Sequence, residues 1–166
     1  SSSALIFISC TFSGSFSYFS GGAIYSSSSV LSFTSCTLYG NGLYTDYGGA
    51  IYSSSSALSF TSCTLYGNGV SSTEYGGAVY LAESDDTMAC AGCFFSANTA
   101  SISGSDIFIA TGATLTSEGS TNCSSVGTLD TNSATTYDNY HCGETKMVNV
   151  TTEAELLAAI EMGTSY

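Results

Sequence analysis

The feature that most constrains the fold of this chain is a near-identical internal repeat. The segment GGAIYSSSSVLSFTSCTLYGNG at residues 21–42 recurs as GGAIYSSSSALSFTSCTLYGNG at residues 48–69, with Val30 replaced by Ala57 as the only difference. The opening of the block returns as GGAVY and then, degraded, as GSDIF, so that successive units are 27, 28 and 28 residues apart. A catalytic site is needed once, whereas a structural unit can be used many times. The repeat therefore indicates a repetitive fold rather than a catalytic site.

Within each unit, small or apolar residues alternate with Ser and Thr, which is the period-2 pattern typical of β-strands. Gly pairs, GNG and runs of Ser separate these short stretches, and no helical pattern appears before Thr152. Units of this length, rich in short strands and lacking helices, are best built as coils of a parallel β-helix, in which each coil pairs with its two neighbours.

Stacked coils of this kind lie about 4.8 Å apart, so equivalent residues of successive coils form ladders along the axis. The expected ladders are Ala23, Ala50 and Ala78; Ile24, Ile51 and Val79; Tyr25, Tyr52, Tyr80 and Phe108; and Phe12, Leu38, Leu65 and Phe95. Asn41, Asn68 and Asn98 each follow three residues after a member of the last ladder. Since Asn suits turns and can stack its side-chain amide, an Asn ladder is predicted in preference to a ligand site.

The pairing of GGAI with FxxN resembles the repeats of chlamydial polymorphic membrane proteins and of related pectin-lyase-like right-handed β-helices. GGAI is intact in the two identical units, whereas FxxN is intact only at residues 95–98, because Leu38 and Leu65 stand where Phe would be. The resemblance spans roughly residues 1–110 and implies right-handed coiling. Together with the repeat it predicts an all-β fold, a right-handed parallel β-helix solenoid of about four coils of 27–28 residues with a short C-terminal helix.

Composition limits the classes of function. The chain has a formal charge of −12, no Arg, and Lys146 as its sole basic residue, so nucleic acid, which needs clustered basic residues, is not an expected partner. No apolar stretch approaches the roughly 18 residues of a membrane span. Seven Cys, abundant Ser, Thr and Gly, and glycosylation sequons at Asn122 and Asn149 favour an extracellular, secreted or cell-surface glycoprotein.

Four cysteines occupy one position of the coil, namely Cys10, Cys36, Cys63 and Cys93. Neighbours in this column would be one strand spacing apart, which lies within the Cα separation that a disulfide accepts. Bridges from Cys10 to Cys36 and from Cys63 to Cys93 are therefore one interpretation, and burial as free thiols is the other.

The remaining cysteines allow two further interpretations. Cys123 and Cys142 fall in the non-repetitive region and could close it as a disulfide, which would leave Cys90 unpaired. Alternatively, the CAGC motif that begins at Cys90 could join Cys123, His141 and Cys142 in a zinc site, although no second CxxC is present.

Few residues could support catalysis. Lyases of the β-helix type resemble one another in using a basic proton abstractor beside calcium-binding carboxylates, whereas the sole basic residue here lies outside the coils. Asp46 and Glu74 stack in consecutive coils, and Glu83, Asp85 and Asp86 form an acidic loop that is interpreted either as a calcium site or as a solvated loop. Neither group makes the carboxylate pair of a hydrolase, so no enzyme, catalytic residue or cofactor is predicted.

Three segments are predicted: repetitive coils at 1–108, an irregular closing segment at 109–146 and a strand-helix cap at 147–166. In the cap, VNV indicates a strand, and Thr152 with Glu155 forms a capping box before a short helix. The resemblance to pectin-lyase-type folds implies that such a cap covers a first coil, yet here it comes last. The residues expected to extend the first coil of a second copy are Val148, Val150, Leu156, Leu157 and Ile160.

The main functional hypothesis is a structural subunit of an extracellular filament, appendage or matrix that assembles head-to-tail with itself through its β-helix ends. In a longer tandem polypeptide, residues from Met147 would instead open the next β-helix domain. The alternative function is an adhesin or carbohydrate-binding module, and a polysaccharide-degrading enzyme is the third option. The tyrosines expected to form a glycan-binding face are Tyr18, Tyr39, Tyr44, Tyr47, Tyr66 and Tyr75.

Overall fold

The computed structural model of the chain describes residues 3–69, 73–118 and 126–128. This part of the chain contains fourteen short β-strands and no helix. The first two coils contain β1 (Ser3–Ile8), β2 (Thr11–Ser13), β3 (Ile24–Ser27), β4 (Ser29–Thr34), β5 (Thr37–Tyr39) and β6 (Ile51–Ser54). The next two contain β7 (Ala57–Thr61), β8 (Thr64–Tyr66), β9 (Val79–Leu81), β10 (Thr87–Ala91), β11 (Phe94–Ser96) and β12 (Ile107–Ile109), and they are followed by β13 (Thr114–Glu118) and β14 (Val126–Thr128).

The strands form three parallel sheets that run along the axis of a β-solenoid of about four coils. The first sheet has the order β1-β4-β7-β10-β13, the second β2-β5-β8-β11, and the third β3-β6-β9-β12-β14. Neighbouring strands in each sheet therefore come from successive coils, as in a parallel β-helix. The predicted all-β fold is confirmed, and the predicted C-terminal helix lies outside the described residues.

The register of the sheets confirms the predicted ladders. Ile24 pairs with Ile51 and Ile51 with Val79, while the second sheet aligns the Phe12, Leu38, Leu65 and Phe95 positions. The pairing continues past residue 108, because β13 pairs with β10 and β14 with β12. The end of the sequence repeat at that position is therefore not the end of the sheets.

The core is built from ladders of like residues at alternate strand positions. In β4, Leu31 and Phe33 are buried, whereas Thr34 is exposed. The ring of Phe33 stacks between those of Phe7 and Phe60, with centroids 5.0 and 4.6 Å away. Period-2 alternation in the sequence thus becomes a continuous apolar column along the solenoid axis.

Steric constraints explain why each repeat opens with a Gly pair. Gly48 has a φ of 64°, in the left-handed region that favours glycine. Gly49 lies outside that region, but it packs so closely against the next coil that an added Cβ atom would overlap the carbonyl oxygen of Gly77. The pair therefore marks the corner at which the backbones of successive coils approach each other directly.

The predicted Asn ladder is present and buried. The Asn41 and Asn68 side chains are 0% exposed, and the Nδ2 atom of Asn41 donates to Oδ1 of Asn68 at 3.0 Å. The Nδ2 atom of Asn68 donates in turn to Oδ1 of Asn98 at 2.9 Å. The last amide of the row donates to Oδ1 of the buried Asp106 at 2.8 Å, so a carboxylate receives the final donor of the ladder.

Candidate functional site

The first coil presents open strand edges. Within residues 3–69, 73–118 and 126–128, each of β1, β2 and β3 has a partner strand on one side only. The backbone N–H and C=O groups on the other side can therefore pair with an added strand, which makes such an edge a template for association. The outer strands β13, β11 and β14 hold the equivalent places at the opposite end.

The core is also uncovered at this coil. Leu5 occupies the same inward position as Leu31 and Leu58, since the three residues pair in register. Leu5 is 51% exposed, whereas Leu31 and Leu58 are 3% and 2% exposed. Among the described residues, Leu5 has a neighbouring coil on one side only, which accounts for the difference.

The outward face of the same coil is unusually apolar. Ile6 and Ile8 are exposed, and the residues that pair with them in β4 are Ser32 and Thr34. Phe19, in the loop between β2 and β3, is 77% exposed. Phe16, in the same loop, is exposed as well. We call these exposed apolar residues of the first coil, Leu5, Ile6, Ile8, Phe16 and Phe19, the first-coil patch.

Sequence reasoning missed the outward part of this patch, although the signal was available. Alignment of SALIFISC, which begins at Ser3, with SVLSFTSC, which begins at Ser29, places Ile6 and Ile8 opposite Ser and Thr. The substitution of apolar for polar residues at outward positions is the pattern that distinguishes the first coil from its copies.

The predicted tyrosine face is divided into three pairs in different parts of the coil. Tyr39 and Tyr66 stack on the second sheet with centroids 5.1 Å apart. The pair Tyr18 and Tyr44 lies in the loops that follow that sheet, with centroids at 6.3 Å, and the pair Tyr47 and Tyr75 lies before the third sheet, with centroids at 5.9 Å.

A longer aromatic row borders the third pair. Tyr25, Tyr52, Tyr80 and Phe108 stack in consecutive coils at 5.0, 5.4 and 5.0 Å, with interplanar angles of 10° or less. The ladder itself was predicted from spacing, but its position on the outside was not. Neighbouring rings cover each other's faces, so the three tyrosines present mainly ring edges and phenol hydroxyls. Tyr25, 62% exposed, is the most exposed member, whereas Phe108 is buried.

The inner tyrosines of this row are harder to ionise than free tyrosine. Burial, followed by the nearby Tyr52, Tyr47 and Tyr75 phenols and the Glu83 carboxylate, raises the pKa of Tyr80 to about 12. Burial, followed by Tyr25 and the nearby carboxylates, also raises the pKa of Tyr52. Both hydroxyls therefore remain protonated donors at neutral pH.

The cysteine column is present, and its members are thiols in this structure. The backbone N–H of Cys36 donates to Sγ of Cys63 at 3.4 Å, and that thiol in turn donates to the carbonyl oxygen of Thr61 at 3.3 Å. In this structure the column thus packs as thiols at the core, and the bridges from Cys10 to Cys36 and from Cys63 to Cys93 stay a prediction. In-register parallel strands hold their Cβ atoms about 4.8 Å apart, beyond the usual Cβ separation of a disulfide.

Two thiols of the column, Cys63 and Cys93, have raised pKa values. Hydrogen bonding with Cys93, followed by burial, raises the pKa of Cys63 well above its usual range. For Cys93 the largest influence is the Cys63 thiol, which lowers the pKa, but contact with Cys90 and burial outweigh it and raise the pKa to about 11. Both sulfurs are protonated at neutral pH and are weak nucleophiles.

Asp86, the buried residue of the acidic loop, has a structural role. Asp86 is 0% exposed, and its carboxylate accepts four hydrogen bonds. The donors are Oγ of Ser53 at 2.7 Å, the N–H of Ser56 at 2.8 Å, and the N–H groups of Ala82 and Glu83, both at 2.9 Å. Glu83 and Asp85 are exposed. Among the described residues no group of three or more His, Cys, Asp or Glu side chains could hold a metal ion.

The other predicted site residues lie outside the described residues. They are the sequon residues Asn122 and Asn149, the cysteines Cys123 and Cys142, His141, and the assembly residues Val148, Val150, Leu156, Leu157 and Ile160.

The fold defines the class of the protein as a parallel β-solenoid. No protein-family model matches the chain, and no curated protein or solved structure matches it either. In the described part of the chain, no helix is long and apolar enough to cross a membrane.

Proposed function

We propose that the protein is a structural subunit of an extracellular filament, appendage or matrix, and that it assembles head-to-tail through its first coil. The observation that carries this proposal is the first-coil patch. Ile6 and Ile8 place apolar side chains on the outside where the next coil has Ser and Thr, and Leu5, at a core position, is exposed in the described part of the chain. Burial of such a surface beside open strand edges favours the addition of another β element.

The partner that fits this surface is residues 147–166 of a second copy. The sequence of this segment predicts a strand followed by a short amphipathic helix. Val148 and Val150 would extend a sheet at the open edge of the first coil, and Leu156, Leu157 and Ile160 would cover its uncovered core. Because such a contact joins two different surfaces, it does not close on itself and generates a filament.

Composition supports an extracellular location for this assembly. Seven Cys, abundant Ser, Thr and Gly, and sequons at Asn122 and Asn149 favour a secreted glycoprotein.

The test compares the full chain with two variants by sedimentation and negative-stain electron microscopy. One variant ends at Lys146, and the other carries Ile6→Ser and Ile8→Thr, which copies the outward residues of the second coil. Elongated particles whose length increases with concentration are expected for the full chain, and monomers for both variants. Circular dichroism of the variants checks that the β fold is retained.

The matched control is Ser59→Ala with Thr61→Ala, which copies the outward Ala89 and Ala91 of the fourth coil and leaves the first coil unchanged. This variant should assemble as the full chain does. Monomers of the full chain at every concentration, or equal assembly of the truncated chain, would contradict the proposal.

Glycan binding is the second candidate function, and the exposure of Tyr25 favours it. The ring of Tyr25 has one neighbour in its row, Tyr52, so its other face is not covered by that row. A sugar ring could stack on this face, whereas the inner rings of the row are covered on both sides. Loss of glycan binding on Tyr25→Ala, with retention on Tyr52→Phe, would support this function.

A further inference from the structure

Tyr39 and Tyr66 form an isolated, solvent-accessible pair of phenols. They pair in register on β5 and β8, and their rings stack 5.1 Å apart at an interplanar angle of 5°. The two side chains are 38% and 40% exposed. The residues that flank the pair along the same ladder are Ser13 and Ser96, so each ring has one aromatic neighbour in the ladder.

We propose that this pair is a site of oxidative cross-linking, at which a haem peroxidase with hydrogen peroxide joins the two rings as dityrosine. Each phenol loses one electron and one proton, and the two phenoxyl radicals combine through the ring carbons next to their hydroxyl groups. The hydrogen on each coupled carbon then moves to the phenol oxygen and restores the aromatic rings. Peroxide accepts the two electrons and two protons and becomes two molecules of water.

The geometry favours this pair over the longer aromatic row. Coupling requires the rings to tilt until the two carbons reach bonding distance, which needs free space beside each ring. Tyr52 is held between Tyr25 and Tyr80 and is half-buried, so its ring has little freedom to tilt. Tyr39 and Tyr66 each border a small Ser instead of a third ring, and both are open to an oxidant.

Tyr47 lies as close to Tyr80, at 5.1 Å, but Tyr80 is held in the row between Tyr52 and Phe108. The two tyrosine pairs outside the row are further apart. The rings of Tyr18 and Tyr44 are 6.3 Å apart and inclined by 19°, and those of Tyr47 and Tyr75 are 5.9 Å apart. At the second sheet the backbone register itself holds the two phenols together, because the tyrosines are direct ladder partners in adjacent coils. Coupling between these two residues is therefore an effectively intramolecular reaction of a pre-positioned pair.

The consequence is a covalent link between the second and third coils. It joins residues 27 positions apart in the chain and restricts the unfolded state in the way that a disulfide does. The cysteine column does not provide such a link in this structure, because its described members are thiols that form hydrogen bonds and no disulfide. The inference concerns a single copy of the chain and does not rest on the proposed assembly.

The test treats the dilute full chain with a haem peroxidase and hydrogen peroxide and maps the products by mass spectrometry after cleavage at Asp and Glu. Cleavage places Tyr39 in residues 1–46 and Tyr66 in residues 47–74, and fragmentation of the linked peptides distinguishes this link from one between Tyr25 and Tyr52. The main intrachain product should join Tyr39 to Tyr66 with the loss of two hydrogen atoms. The linked protein should also unfold at a higher temperature than the untreated protein.

Tyr66→Phe retains the stacked ring but removes one phenol, so it should abolish this product and the rise in unfolding temperature. The matched control Tyr44→Phe should leave both unchanged. Treatment in denaturant should remove the preference for this pair, because the register that holds it is lost. A product distribution in which the native chain shows no link between Tyr39 and Tyr66, or shows it equally in denaturant, would overturn the proposal.

Discussion

Oδ1 of Asn68 accepts two hydrogen bonds from one residue of the preceding coil, the backbone N–H of Asn41 at 3.1 Å and its Nδ2 at 3.0 Å. The Nδ2 of Asn68 then donates to the carbonyl oxygen of Leu38 and to Oδ1 of Asn98. One buried amide thus satisfies polar groups of three coils, and no solvent is needed to complete the network.

Replacement of Asn68 by Ala should therefore be costly. It removes the side-chain partner of the Asn41 N–H and of the Leu38 carbonyl oxygen, and it takes one hydrogen bond each from the side-chain amides of Asn41 and Asn98. We expect the free energy of unfolding to fall by roughly 2–4 kcal/mol. Urea unfolding followed by circular dichroism measures the change. The control Thr61→Ala removes an exposed side chain at a position where the next coil already has Ala91, and it should change stability little.

Two glycines of the same repeat should respond differently to Ala. Gly49→Ala places a Cβ atom against the carbonyl oxygen of Gly77, so the coils must separate at this corner, and we expect a loss of roughly 3 kcal/mol or more. In Gly67→Ala the added Cβ atom has no other atom within 4 Å. The expected loss of stability is therefore only the cost of a non-glycine residue at positive φ, about 1 kcal/mol. Unfolding midpoints of the two variants compare the effects, and equal losses would contradict the close approach at Gly49.

Alkaline pH should weaken the fold through the aromatic row. Tyr80 titrates near 10 in the unfolded chain and near 12 in the folded protein, so the unfolded chain loses its proton first. Its contribution to stability is complete below pH 10 and is lost as the pH rises toward 12. Measured as a function of pH, the free energy of unfolding of Tyr80→Phe should decline less steeply than that of the unmodified chain. Tyr44→Phe is the matched control, and a decline equal in all three proteins would exclude Tyr80 as the source.

If Asp86 has a structural role, its substitution should lower stability, whereas calcium should have no effect on stability. In Asp86→Asn an NH2 group replaces one oxygen and faces backbone N–H or hydroxyl donors, so we expect stability to fall by roughly 2–4 kcal/mol. Addition of calcium or of a chelator should leave the unfolding temperature of the unmodified protein unchanged. A rise in that temperature with calcium would instead favour the calcium interpretation of Glu83, Asp85 and Asp86.

The sequence predicted the architecture well because a parallel in-register solenoid converts a fixed interval along the chain into direct contact in space. The spacing that aligns Tyr25 with Tyr52, or Asn41 with Asn68, therefore identifies ladder partners without further information. Spacing does not say which way a ladder faces. The segment IYS could have turned Tyr25 inward, but the small Ser26 is buried beside the core instead.

Roles that depend on a departure from the repeat were harder to predict. Asp86 follows two extra residues at the corner between β9 and β10, and Asp106 replaces the Ala of GGAI. Asp86 accepts hydrogen bonds from the preceding coil and from its own loop, and Asp106 accepts one from Asn98, eight residues before it. Their roles therefore depend on how the chain turns at those corners. The outward Ile6 and Ile8 could have been identified, because they differ from the copies at the same strand positions.

The near-identity of the second and third coils has a consequence for how such a protein changes over generations. Each of these coils presents the same residues on its upper and lower faces, so the removal or duplication of one 27-residue unit would leave every remaining ladder intact. The loss or gain of one such unit would therefore yield a foldable product in a single step. The length of the solenoid would then change by whole coils, in steps of about 4.8 Å.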